Sequence, residues 1–128
     1  MRNLISTRVA IIVFAVIIGF FGANHFLHAK DMAQNVPSFL PFAKVLVYIS
    51  GTGFLLAAAA FIIDRYVKIA GYLLALLLLL IVFLVDIPGI FRAENVHIKM
   101  IFVTSMLKDA ALAMAAILIA DISQIRRF

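Results

Sequence analysis

Lys108 and Asp109 stand side by side within a predominantly apolar stretch, from about Ile98 to Ala120. In hydrocarbon an ionisable side chain is costly unless it is paired, hydrated or able to reach the interface, so such a residue is a functional candidate by default. Neighbouring side chains on a helix point about 100° apart, so the two are not expected to satisfy one another, and each needs a partner on another helix. The partners at the same level are Asn24, His25 and His28 near the end of one apolar run, Tyr48 and Ser50 near the start of the next, and Asp86 closing a third. Helical spacing places Thr104, Ser105, Lys108 and Leu112 on one face, a polar strip expected to point into a bundle.

Three kinds of chemistry fit these residues. Lys108 and Asp109 pair across helices with Asp86, Tyr48, Asn24 or His25 and fix the register. Alternatively Asn24, His25, Tyr48, Asp86, Thr104, Lys108 and Asp109 line a pocket for a lipophilic molecule such as a quinone or a lipid, whose carbonyl oxygen a histidine or tyrosine would bind. The third is a metal or haem held by His25, His28 and His97, which is incomplete as a ligand set. No nucleophile, base and orienting acid assemble, so no catalytic residue and no metal ligand is assigned. The glycine pairs that resemble phosphate loops lie inside apolar helices.

The elements that must position these groups follow from composition. Of 128 residues, 66% are hydrophobic and 13% charged, about half the charged share of a soluble domain. With mean hydropathy at +1.20, the excess apolar surface needs a solvent other than water, which makes membrane lipid the first partner. The net charge of +5 does not indicate nucleic acid, because the basic residues are scattered at the ends of apolar runs. With no cysteine, the chain forms no disulfide and no dithiol couple, and a redox role would need a borrowed cofactor such as a quinone or a partner protein.

A bilayer core about 30 Å thick requires about 20 helical residues. Four segments reach that length, from about Val9 to His28, Ala43 to Ile63, Val67 to Ile87 and Ile98 to Ala120. The expected fold is an all-α, four-transmembrane-helix antiparallel bundle forming a single membrane domain over residues 1–128. Arg2 and Arg8 ahead of the first run resemble the start of a signal peptide, but the run continues to about Leu27 without a small-x-small cleavage site, and it reads as a retained anchor. Asp64, Arg65 and Tyr66 leave room for only a tight turn between the second and third segments.

The N-terminus, that turn and the C-terminus carry Arg2, Arg8, Arg65, Lys68, Arg126 and Arg127, against Lys30, Lys44, Arg92 and Lys99 on the other side. The bias places both termini in the cytoplasm and the protein in the inner membrane. The outer loop 29–42 mixes Met32, Val36, Phe39, Leu40 and Phe42 with Lys30, Asp31, Gln34 and Asn35, while Pro37 and Pro41 prevent one regular helix across it. It is expected to lie on the membrane surface and to cap the bundle. Gly19 and Ala23, Gly22, Gly51 and Gly53, Gly71 and Ala75, Ala111 and Ala115, and Ala116 and Ala120 mark expected close helix contacts.

Gly22-Ala23-Asn24-His25-Phe26, Val36-Pro37-Ser38-Phe39-Leu40-Pro41, Tyr48-Ile49-Ser50-Gly51 and Leu107-Lys108-Asp109-Ala110-Ala111-Leu112 together resemble the DoxX and DoxX-like family of small four-helix membrane proteins over nearly the whole chain. The resemblance implies an accessory membrane subunit, some members being linked to thiosulfate and quinone oxidation or to oxidative-stress complexes. Where many members carry a glutamate three residues after the second-helix glycine, this chain has Phe54, so chemistry depending on that carboxylate is not expected.

The expected function is a non-catalytic accessory or scaffold subunit, with room for a quinone or lipid in the outer half of the bundle and a membrane-protein partner or a second copy beside it. The alternatives are a small transporter or efflux component using Lys108 and Asp109, and a quinone-linked oxidoreductase subunit.

Overall fold

A computed structural model describes residues 2–34 and 36–126, with the side chains of 2–6 and 124–126 left out. Asn35 and Arg127 therefore lie outside the described residues, as do the side chains of Arg2 and Arg126. The described residues are 87% helical and contain no strand. Its helices are α1 (Arg2–Leu27), α2 (Ala29–Ala33), α3 (Ala43–Ile63), α4 (Val67–Ile81), α5 (Ile87–Arg92) and α6 (Val96–Arg126), with a π-helical turn, Val82–Asp86, joining α4 to α5.

Four stretches are long and apolar enough to cross a membrane: Thr7–Leu27, Ala43–Ile63, Val67–Arg92 and Val96–Ser123. At most 33% of the most apolar window in any of them is buried inside the protein. The remaining apolar surface is too large for water to solvate cheaply, and the fold is that of an integral membrane protein.

The helices run antiparallel, as residue contacts show. Gly22 meets Gly51 and Gly19 meets Ala58 along α1 and α3, while Gly71 meets Ala116 and Gly89 meets Phe102 along the third and fourth spans. The turn between α3 and α4 lies where the sequence places it, and its tightness forces Asp64 (φ 61°) and Tyr66 (φ 58°) into the left-handed region. We call this the turn end of the bundle, and the opposite end, which carries residues 28–42, the loop end.

Helix boundaries differ from the sequence reading in informative ways. The fourth span begins at Val96 rather than Ile98 because Asn95 caps it, its Oδ1 accepting a hydrogen bond from Ile98 N at 2.9 Å. The third continues past Pro88 to Arg92 instead of stopping at Ile87. Proline lacks an N–H and its ring crowds the carbonyl four residues earlier, here Leu84. Widening the preceding turn to π-helical geometry accommodates that defect without ending the helix.

At the turn end three of the last four carbonyls of α3 find partners. The Ala60 carbonyl accepts from Arg65 N at 3.0 Å, and the carbonyls of Phe61 and Ile62 accept from the Arg8 guanidinium at 2.7 and 2.5 Å. Arg8 also lies 3.9 Å from Asp64. A residue expected only as a flanking charge thus caps another helix, where an unpaired carbonyl would be costly.

Close approach depends on small residues. A Cβ on Gly71 would stand 2.7 Å from the Ala116 carbonyl oxygen and 2.8 Å from the Ala120 Cβ, and one on Gly22 would stand 3.0 Å from the Gly51 oxygen. Ala15, Ala113, Ala116 and Ala120 are fully buried around Ile18 and Phe61. Ala111, by contrast, is exposed.

Gly71→Val drives two methyls into the α6 backbone, which cannot move as a side chain can, and is expected to cost about 1–3 kcal/mol. Thermal unfolding in mild detergent measures this, and a wild-type midpoint would refute the contact. Arg8→Ala leaves two α3 carbonyls unmet and is expected to cost about 1–3 kcal/mol, whereas Arg65→Ala on the same turn should be neutral in the same assay.

Candidate functional site

The buried face of α6 runs Ser105, Asp109, Ala113, Ala116, Ala120, a helical repeat of three and four residues. Its lower half is alanine and packs against α4 at the turn end. Its upper half carries Ser105 and Asp109 toward the loop end, so the side chains that give close packing below give way to polar ones above.

The wide π-helical turn brings Asp86 inward from the facing span, and it is 2% exposed. Ser105 Oγ lies 3.1 Å from Asp86 Oδ1 and 3.5 Å from Asp109 Oδ2, so one hydroxyl stands between two carboxyl groups. Asp109 is 6% exposed, and its Oδ1 lies 3.4 Å from Lys108 Nζ. Asp86 Oδ2 is buried and has no hydrogen-bond partner. A buried polar atom in that condition is costly and marks a place where a further group would be stabilised.

The Lys108–Asp109 contact corrects the expectation that neighbours on the helix would not meet. Their Cβ atoms do diverge, but the lysine stem is long enough to curl back from the side of α6. Lys108 remains half-exposed, and its Nζ sits 4.7 Å from the centre of the Phe21 ring, held by the negative face of the aromatic. Thr104 shares that sideways face but is too short to return, and it is exposed rather than directed into the bundle.

From α1, Asn24 and His25 line the same region. His25 Nδ1 lies 2.7 Å from the Phe21 carbonyl oxygen. A carbonyl only accepts, so Nδ1 carries the hydrogen and Nε2 is the nitrogen left for another partner. The ring packs edge-on against Phe54, 5.0 Å between centroids. Position 54 is therefore occupied by a buried apolar ring that supports the histidine.

Tyr48 is not brought to this cluster. It stacks on Phe26 at 5.5 Å, because the inward face of α3 runs through Val47, Gly51 and Phe54 and Tyr48 lies beside it. His28 and His97 are exposed, and among the described residues no group of three His, Cys, Asp or Glu side chains converges to hold a metal.

Between these elements lies a cavity of about 420 Å³. Asn24, His25, Asp86, Ser105, Lys108 and Asp109 supply its polar wall, with Ser50 from α3, and aliphatic side chains of the second and third spans supply most of the rest. Met32, Val36 and Leu40 reach it from the loop, whose Pro37 is fully buried, so the described part of the loop packs over the cavity rather than standing free. Sequence reasoning placed Ser105 on the polar strip of the fourth span but not at the centre of the polar group, because helical spacing does not show which carboxyl groups flank it. It also missed the π-helical turn, whose only trace is Pro88 immediately after Asp86-Ile87.

The size and lining of this chamber suit a molecule that is mostly apolar with one polar end. The chain matches no curated protein and no solved structure. Residues 14–126 match the family described as Domain of unknown function (DUF8561), and the chain belongs to that family.

Proposed function

We propose that this protein is a small, non-catalytic membrane subunit or scaffold that holds a lipophilic molecule, a quinone or a lipid in chemical class, at the loop end of its bundle. One observation carries the reading: a cavity of about 420 Å³ with an apolar wall and a polar patch containing a buried, unpartnered carboxyl oxygen. Burying such an acceptor beside an apolar chamber is unfavourable, and a guest relieves both defects when its apolar part fills the chamber and its polar end either donates a hydrogen to Asp86 or accepts one from the protonated acid. The sequence likeness to DoxX proteins supports an accessory role.

Native mass spectrometry of protein extracted in mild detergent, with and without added decylubiquinone, tests this. The expected result is a retained or acquired small-molecule adduct, lost by at least tenfold in affinity, about 1.4 kcal/mol, when Ser50→Phe fills the chamber of a still-folded bundle. A wild-type protein without an adduct that takes up neither decylubiquinone nor phospholipid would end the proposal.

The orientation we propose places the turn end and both termini in the cytoplasm and the loop end outside the inner membrane. Arg8, Arg65 and Lys68 at the turn end support it through the usual cytoplasmic retention of basic flanks. Since the natural chain has no cysteine, single thiols report cleanly. Gln34→Cys should react with an impermeant maleimide in intact spheroplasts, and a cysteine appended to the C-terminus should react only after permeabilisation. The reverse pattern would invert the topology.

A further inference from the structure

The polar wall has an odd charge. Asp86 and Asp109 face each other across Ser105, and among the described residues the one ion pair that involves either is Lys108 with Asp109. With all three ionised the cluster carries one net negative charge. Among the described residues no other element compensates it. His25 on α1 spends Nδ1 on the Phe21 carbonyl, the cavity-lining residues of α3 are uncharged, and Arg92 stands exposed at the far end of α5.

An uncompensated charge this deep in hydrocarbon is strongly unfavourable, so one further positive charge belongs to the site. When the chamber is empty, a proton supplies it. The geometry agrees, because Ser105 has a single hydrogen to offer two carboxyl oxygens, and a proton on the Asp86 side provides the second.

We infer that the cavity takes a lipophilic cation, an amphiphile with an ammonium-type head, and that its entry displaces a proton from Asp86. The inference rests on the reading that the chamber holds a lipophile and names the class of that lipophile. The exchange balances: the carboxylic acid becomes a carboxylate, the proton passes to the medium, and the cationic head replaces it beside Asp86 Oδ2, the oxygen without a partner. Leu77, Ile81 and Ile49 accept the alkyl tail, and the buried Phe54 ring flanks the head. Lys108 does not attract an anion here because Asp109 and the Phe21 ring already hold it.

Equilibrium binding of dodecyltrimethylammonium and of its uncharged counterpart dodecanol, to protein in nanodiscs of an uncharged galactolipid with empty nanodiscs subtracted, tests the inference between pH 5 and 8. Proton and cation compete for one place, so affinity for the cation should rise about tenfold per pH unit while the proton is still bound. Asp86→Asn and Asp109→Asn each remove the surplus charge and should weaken cation binding at least tenfold and flatten its pH dependence.

Lys108→Met keeps both carboxyl groups and should tighten cation binding at pH 8 by about tenfold, which decides the matter should the Asp variants fail to fold. Dodecanol bound equally at every pH with no preference for the cation would overturn the inference and leave the lipophile reading standing. Cation binding that ignores pH would also overturn it. Binding of neither probe would remove both.

Discussion

A surrounding solvent that can neither hydrogen-bond nor screen charge governs this molecule. In water, Asp86, Ser105, Lys108 and Asp109 would each be hydrated and would say little about one another. In hydrocarbon their charges and hydrogens must balance within a few ångströms, so the arrangement of those four side chains becomes a statement about what else the site must contain. The same solvent explains the Arg8 cap on α3, where the guanidinium takes two carbonyls that lipid would leave bare.

The bundle divides its length between two tasks. Toward the turn end, glycine and alanine let backbones touch, as at Gly71 against Ala116 and Ala120, and the fully buried residues Ala15, Ile18, Phe61 and Ala113 gather there and at mid-height. Toward the loop end, the inward residues of α6 become Ser105 and Asp109, and the third span widens into its π-helical turn. Close packing without a hydrophobic drive between helices relies on such small residues. Where they stop, the cavity begins.

The four spans and the tight turn were legible because long apolar runs interrupted only by Asp64, Arg65 and Tyr66 admit one arrangement in lipid. Asn24, His25, Asp86, Lys108 and Asp109 could be singled out, since ionisable and amide groups in apolar runs are conspicuous. Their mutual geometry was less accessible. A helical wheel separates Lys108 from Asp109 by angle, yet side-chain length reunites them; it groups Thr104 with Lys108, yet shortness leaves Thr104 outside. Tyr48 fell one position off the inward face of α3, a difference of about 100° that no sequence pattern resolves without knowing which face is buried. Phe54 was read as the loss of a carboxylate, and its part in supporting His25 emerges only from packing.

The π-helical turn ties these observations together. A regular α-helix through residues 82–86 would set Pro88 against the Leu84 carbonyl and would aim residue 86 along a different direction. The wider turn resolves the clash and at the same time brings a carboxyl group inward opposite Ser105, leaving one of its oxygens without a partner. A purely structural role would be served better by an amide or an apolar residue, because removing both charge and unmet acceptor lowers the cost of burial. That Asp86 instead sits on an irregular turn, beside a second carboxyl group and a chamber lined with aliphatic side chains, is the arrangement of a binding group held ready for a positive partner.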